Sequence, residues 1–184
     1  MLSKFFKLIS DPKVVAILFI ACASTQRTPT ITNRFEEVVT NFKISKIEYT
    51  GKPQLFVTGE TMYLDDLRGT YEVEELSVKD GYVFVEIYFE LTATLNSQNQ
   101  IMRSKDFVLI HPNGTIFDEN YKLVRVTEYA MGWMEKWWLS LSHHGDIYKS
   151  VILFPVPSEN VSQLRVCFLG KVIGSLAELA QVIK

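Results

Sequence analysis

The chain has few cysteines, no excess of positive charge and no long apolar run. Its 184 residues include 2 cysteines, and 19 Lys and Arg stand against 21 Asp and Glu, for a net charge of −2. A domain of this size does not depend on disulfides, because it buries roughly 70% of its unfolded surface. The lack of a basic excess argues against a nucleic-acid partner, since such proteins usually carry a basic face.

Motifs that mark an enzyme are also missing. The sequence contains no G-x-S-x-G nucleophile elbow, no phosphate-binding glycine loop and no zinc-protease helix motif. The adjacent carboxylates Asp65-Asp66 and Glu74-Glu75 diverge if the chain is extended, so we expect surface charges rather than an acid–base pair. We therefore expect a protein that is not an enzyme and that holds no cofactor.

The first 24 residues have the pattern of an export signal. Lys4, Lys7 and Lys13 precede the apolar run 14–21, which ends in the small residues Ala21-Cys22-Ala23-Ser24. A positive flank, a short apolar centre and a small-residue exit are typical of a signal peptide. We therefore expect an extracytoplasmic protein, either secreted or anchored at the membrane through residues 1–24.

Several fates of residues 1–24 stay open. A signal peptidase would cut after Ala23, whereas acylation would make Cys22 the lipidated N-terminus, although Phe19 stands where lipoprotein signals usually have Leu. An uncut anchor is the third fate, but a spanning helix needs about 20 apolar residues and this run is shorter. The fourth is an ordinary buried helix of a cytosolic protein.

A polar, Thr-rich stretch, 25–33, predicts a linker to a single domain at 34–184. Within that domain the dominant period is two, which is typical of β-strands. We predict strands over 42–49, 71–78, 82–93, 105–111, 115–117, 150–155 and 163–169. Such short strands with frequent turns predict an all-β antiparallel sandwich or barrel.

Turns and a helix complete this prediction. Lys79-Asp80-Gly81 predicts a hairpin turn and Pro112-Asn113-Gly114 a second tight turn, because Asp, Asn and Gly tolerate a positive φ. Helical spacing over 175–183 predicts a short C-terminal helix. Cys167 falls in a predicted strand, where a lone cysteine is usually a small buried hydrophobe; a disulfide with Cys22 is the alternative.

The order of these signals resembles that of a known family. Gly59-Glu60 precedes the long strand 82–93, a strand then runs into a glycine turn at 107–114, and an apolar strand ends in Pro at 145–155. This order is similar to extracytoplasmic immunoglobulin-like domains of bacterial and archaeal lipoproteins, a family misleadingly named after telomeric repeat-binding factor 2. The resemblance implies an immunoglobulin-like β-sandwich and an envelope location, and it implies no catalytic residues.

All three tryptophans, Trp133, Trp137 and Trp138, fall within six residues. At helical spacing Trp133 and Trp137 share one face, so we expect a short helical insertion within 123–142. Two interpretations stay open. The indoles are buried under a helix that caps the sandwich, or they form an exposed patch that contacts an envelope protein or another surface ligand.

Two further groups of residues are candidate sites. His143-His144, followed by Asp146, could ligate zinc or copper, although neighbours on an extended chain face opposite sides. Asn113 and Asn160 begin Asn-x-Ser/Thr sequences and are candidate glycosylation sites, unless asparagine simply suits the turns there.

The sequence as a whole predicts a non-catalytic binding or accessory module displayed at the cell envelope. We expect Trp133, Trp137 and Trp138 to contact its partner. The alternative is a small-ligand or metal carrier that uses His143 and His144.

Overall fold

The computed structural model describes residues 33–58, 72–94, 100–125, 131–141 and 143–183. All of them belong to one compact unit, Thr32–Lys184. The predicted signal segment with Cys22, the linker up to residue 32, and Gly59-Glu60 and Asp65-Asp66 lie outside the described residues. In the described part the fold is all-β with few helices, as the sequence predicts.

Strands make up most of the described chain. They are β1 Val39–Thr50, β2 Gln54–Thr58, β3 Glu72–Leu76, β4 Tyr82–Ala93, β5 Gln100–Arg103, β6 Phe107–Ile110, β7 Ile116–Phe117, β8 Tyr121–Arg125, β9 Met131–Glu135, β10 Trp138–Leu141, β11 Ile147–Pro157, β12 Arg165–Phe168 and β13 Lys171–Ser175. The α-helices are α1 Phe35–Val38 and α2 Leu176–Val182, and 3-10 turns occupy Ser104–Asp106 and Val161–Gln163.

The strands form a large sheet, a smaller sheet and a two-stranded ribbon. Strand orders are β1-β4-β11-β8-β9-β2-β3 in the large sheet, β13-β12-β6-β7 in the smaller one and β10-β5 in the ribbon. Described neighbours pair antiparallel except β2 and β9, which are parallel where Phe56 pairs with Trp133. The β-branched and aromatic strand β4 lies between β1 and β11, as expected for a central strand.

Aromatic side chains join the large sheet to the smaller one. Phe42 of β1 stacks on Phe168 of β12 with ring centroids 4.8 Å apart, and Phe107 of β6 lies 6.0 Å from Phe154 of β11. Three of these rings, those of Phe107, Phe154 and Phe168, are fully buried. Because ring pairs at such distances add to the gain from burial, this cluster holds the two sheets together.

Alternation along β4 gives the large sheet a second apolar face. Val85, Ile87 and Phe89 belong to the core shared with the smaller sheet, whereas Phe84 joins a separate cluster. Successive strand residues point to opposite faces, so the large sheet is apolar on both sides in its centre. Cys167 of β12 is buried with a free thiol, as expected of a strand cysteine.

The predicted hairpin turn at Lys79-Asp80-Gly81 is wrong in topology, although the turn itself forms. Gly81 has a φ of 79°, and the Tyr82 backbone N–H donates to the Lys79 carbonyl oxygen at 3.0 Å. The flanking strands β3 and β4 are not neighbours in the sheet, because β3 pairs with β2 and β4 with β1 and β11. Local turn chemistry set the bend but not the strand pairing.

The predicted helical insertion is also wrong. Its described parts are strands: β8 and β9 pair antiparallel in the large sheet, and β10 pairs with β5 in the ribbon. Met, Glu, Lys and Trp in this segment suit a helix locally, but cross-strand pairing overrides such weak preferences. The C-terminal helix is confirmed as α2, which begins after Ser175, whose Oγ accepts from the Glu178 backbone N–H at 3.2 Å.

Candidate functional site

The chain changes sheets between β9 and β10, and two residues make the connection. β9 ends at Glu135 in the large sheet, and β10 begins at Trp138 in the ribbon. Lys136 has a φ of 56°, in the left-handed region that costs a residue other than glycine about 1–2 kcal/mol. Its side chain is exposed, whereas that of Trp137 is buried.

A buried amide holds Trp137 in place. Its indole Nε1 donates to Oδ1 of Asn120 at 2.8 Å, and Nδ2 of Asn120 donates to the carbonyl oxygens of Ser104 at 2.9 Å and Phe107 at 2.8 Å. The Ser104 N–H donates in turn to the Trp137 carbonyl oxygen at 3.2 Å. Because buried polar groups are costly unless paired, this network ties the β9–β10 connection to the 3-10 turn that follows β5.

The ribbon presents one apolar face to the core and one mixed face outward. Trp138 lies directly opposite Arg103, and Ile101 is its diagonal neighbour on the same face. Met102 and Leu141, whose side chains alternate to the other face, are buried in the main core. Trp138 and Ile101 stay 46% and 47% exposed, so an aromatic ring, an aliphatic side chain and a cation share the outer face.

A cleft of about 460 Å³ opens beside this outer face. Its lining consists of Ile101, Arg103, Ser104, Lys105, Lys136, Trp137 and Trp138. All three cationic side chains are exposed, and none forms an ion pair with a carboxylate of the described residues. The described lining therefore carries three positive charges and no negative one, in a chain whose net charge is −2.

A fourth cation lies behind the cleft. Lys122 Nζ is 5.8 Å from the centroid of the Trp137 ring, and burial lowers the pKa of this lysine. Next to it on β8, the Tyr121 hydroxyl donates to Glu119 Oε1 at 2.7 Å. Burial, and then this carboxylate, raise the pKa of Tyr121, because both disfavour the phenolate.

The predicted partner-binding tryptophans do not share one surface. Trp133 is 4% exposed and packs with Phe84 and Leu153, and its Nε1 donates to Gln54 Oε1 at 3.1 Å. Trp137 is 2% exposed and belongs to the main core. Trp138 alone among the three is placed to touch a partner, since about half of its side chain is open to solvent.

The structure brings one of the candidate metal ligands close to a carboxylate. His143 Nδ1 lies 3.3 Å from Asp146 Oδ2 in the turn before β11, and both side chains are substantially exposed. His144 is exposed as well. Within the described residues, no group of three His, Cys, Asp or Glu side chains is arranged to hold a metal ion.

The two candidate glycosylation sites lie close to each other. Asn113 and Asn160 are exposed and line the same cavity of about 320 Å³, together with His111 and Glu159. Each asparagine also serves its own turn. Asn113 Oδ1 accepts from the Thr115 N–H at 2.9 Å, and Asn160 has a φ of 59°. Turn conformation is therefore sufficient to explain an asparagine at both positions.

Sequence reasoning missed the cationic residues of the cleft and its buried support. Arg103 and Lys105 lie about thirty residues before Lys136, and no local motif links them. Asn120 gives no signal either, because a single asparagine between an acidic residue and a tyrosine looks like a turn residue. The tryptophan cluster alone pointed to this region.

Comparison with known proteins identifies no relative for this chain. No family model matches the sequence, no curated protein matches it, and no solved structure matches its fold. Among the helices of the described part of the chain, none is long and apolar enough to cross a membrane.

Proposed function

We propose that this chain is a non-catalytic binding module whose contact surface is the cleft at Trp138. The observation that carries the proposal is the register of the ribbon, which sets the half-exposed Trp138 directly opposite Arg103. Tryptophan and arginine are the side chains most often responsible for binding energy at protein surfaces. The buried Asn120–Trp137 hydrogen bond supports them from below.

A rigid support favours binding, because less entropy is lost when an already ordered surface meets its partner. The ribbon is anchored by Met102 and Leu141, which are 1% and 0% exposed. The strained backbone at Lys136 adds to this argument, since left-handed residues other than glycine tend to occur at functional sites.

Trp138→Ser tests the proposal, with Tyr49→Ser as the matched control. Tyr49 is another aromatic residue on a strand and is likewise 46% exposed, but it does not line the cleft. We expect the wild type and Tyr49→Ser to retain the same species from an envelope extract, and Trp138→Ser to lose it. Equal retention by all three proteins, at equal thermal stability, would contradict the proposal.

The immunoglobulin-like architecture and the envelope location are part of the same proposal. The aromatic core shared by two mainly antiparallel sheets supports such an architecture. Seven strands in one sheet and a parallel β2–β9 pair depart from the usual arrangement of three and four antiparallel strands.

Export is supported by the positive, apolar and small-residue pattern of residues 1–24. N-terminal sequencing of the protein from its native host tests it. We expect the mature chain to begin at Ser24 after a cut following Ala23, or at a modified Cys22. A mature chain that still begins at Met1 would contradict both cleavage routes.

A further inference from the structure

The charge of the cleft differs from that of the chain that forms it. Arg103, Lys105 and Lys136 all line it, although the sequence has more Asp and Glu than Lys and Arg. The nearest acidic residues along the chain, Asp106 and Glu135, are not part of the lining. Asp106 Oδ2 accepts a hydrogen bond from the Arg103 backbone N–H at 2.8 Å. No ion pair among the described residues includes the Arg103 guanidinium.

Lys136, the third cation of the cleft, has a strained backbone conformation. Lys136, with its φ of 56°, occupies a conformation in which glycine or asparagine is more stable. A lysine at this position adds an exposed ammonium group to the cleft lining. Three cations line one concave site, and no acidic residue is part of that lining. Such a site attracts an anionic group.

The apolar residues of the lining determine which kind of group a bound anion can carry. Trp138 and Ile101, diagonal neighbours on the ribbon, offer a half-exposed ring and an aliphatic side chain. Such a surface binds a planar ring by stacking and an apolar group by removing it from water. The volume of about 460 Å³ falls within the range of small-molecule sites, about 300–1,000 Å³.

We infer that the cleft binds a small organic anion, with a carboxylate, phosphate or sulfate group between Arg103, Lys105 and Lys136 and a flat ring on Trp138. This inference rests on the proposed binding function and names the chemistry of its ligand. It requires both parts of the ligand, the charge and the ring, because the cleft provides a partner for each.

Calorimetric titration of the full chain tests the inference with four probes. Phenyl phosphate and benzoate carry both parts, inorganic phosphate carries the charge alone, and benzyl alcohol carries the ring alone. We expect the two aromatic anions to bind about tenfold more tightly than either partial probe, because contacts with the charge and the ring each add to the binding free energy.

Substitutions in the cleft identify the site of binding. Lys136→Asn removes the charge but keeps a residue that tolerates the left-handed backbone, so the fold is preserved. We expect it to weaken phenyl phosphate binding about threefold to tenfold. Trp138→Ser should weaken it about fivefold to tenfold. The control Lys52→Gln removes an exposed lysine outside the cleft and should leave affinity within about twofold of wild type.

Three results would overturn the inference. The first is that benzyl alcohol binds as tightly as phenyl phosphate. The second is that inorganic phosphate binds as tightly as phenyl phosphate. The third is that neither aromatic anion binds. None of these removes the proposed binding function, whose own test is the retention of an envelope species through Trp138. If Trp138→Ser retains that species while the wild type binds phenyl phosphate in the cleft, the proposed contact of Trp138 with an envelope species fails. The inferred anion site then stands.

Discussion

Trp137 and Asn120 form a buried hydrogen bond, in which the indole N–H donates to the amide oxygen at 2.8 Å. Both side chains are 2% exposed. The pair joins the β9–β10 connection to the residue before β8. Through the Asn120 amide nitrogen it also reaches the carbonyl of Ser104, which begins the 3-10 turn, and that of Phe107, which follows it. The cleft at Trp138 therefore has a floor that belongs to the core.

Trp137→Phe should destabilise the protein by about 2–3 kcal/mol. The substitution leaves Asn120 Oδ1 buried without its donor, which costs about 1–3 kcal/mol, and the smaller ring leaves a cavity in addition. Chemical denaturation measures this loss. Trp138→Phe is the control, because its site is half-exposed, and we expect a change within about 0.5 kcal/mol. Equal effects of the two substitutions would show that burial does not distinguish the indoles.

Gly81→Ala should cost about 1–2 kcal/mol of stability, because Gly81 has a φ of 79° in the turn before β4. Gly51 provides the matched control, since it also has open space around its Cα but no positive φ. Gly51→Ala should be neutral or stabilise by less than about 1 kcal/mol. Urea titrations measure the free energies of unfolding of both variants. A Gly81→Ala protein as stable as wild type would contradict a cost from the positive φ of Gly81.

Tyr121 should make the protein sensitive to alkali. Burial and Glu119 raise its pKa in the folded state above the unfolded value of about 10. The folded state then keeps a proton that the unfolded state releases. The stability that the hydroxyl contributes is therefore fully present below about pH 10 and is lost as the pH rises above it.

Tyr121→Phe should remove this part of the alkaline loss, so its stability should fall less steeply than that of wild type above about pH 10. Urea denaturation at a series of pH values measures the slope. Tyr82→Phe is the control, because Tyr82 is half-buried and its hydroxyl donates to no described residue. Identical slopes for Tyr121→Phe and wild type would argue against the raised pKa.

Zinc and copper should bind wild type and a His143→Ala/His144→Ala variant with the same weak affinity. In the described residues His143 lies beside Asp146, and neither imidazole belongs to a group of three side chains arranged to hold a metal ion. Stable zinc sites usually need about four ligands in tetrahedral geometry. Stoichiometric binding by wild type that the double variant loses would instead support the metal-carrier hypothesis.

Much of the fold could be predicted from period-two patterns. The prediction of 82–93 matches β4 at both ends, and β1, β3, β6, β7, β11 and β12 overlap their predicted ranges. In these strands the alternation of side chains is itself the result of burial on a sheet face. The strands β2, β5, β8, β9, β10 and β13 lie outside the predicted strand ranges. Most of β8, and all of β9 and β10, fall in the segment 123–142, whose helical spacing had favoured a helix.

The candidate site was predictable only in part. Three tryptophans in six residues pointed to the segment that contributes Trp137 and Trp138 to the cleft. Helical spacing placed Trp133 and Trp137 on one face, which is wrong. The strands of this segment, β8, β9 and β10, pair with β11, β2 and β5, from three other parts of the sequence. Those pairings separate Trp133 from its two neighbours.

By itself, the sequence determined the strands with a clear period of two, the turns at Gly81 and Gly114 and the C-terminal helix, because these features depend on neighbouring residues. Only the tertiary structure decided which strands pair, and hence that Trp138 lies opposite Arg103 while Trp137 reaches Asn120. Pairing is set by hydrogen bonds and packing between residues far apart in the chain, and a local pattern does not specify them.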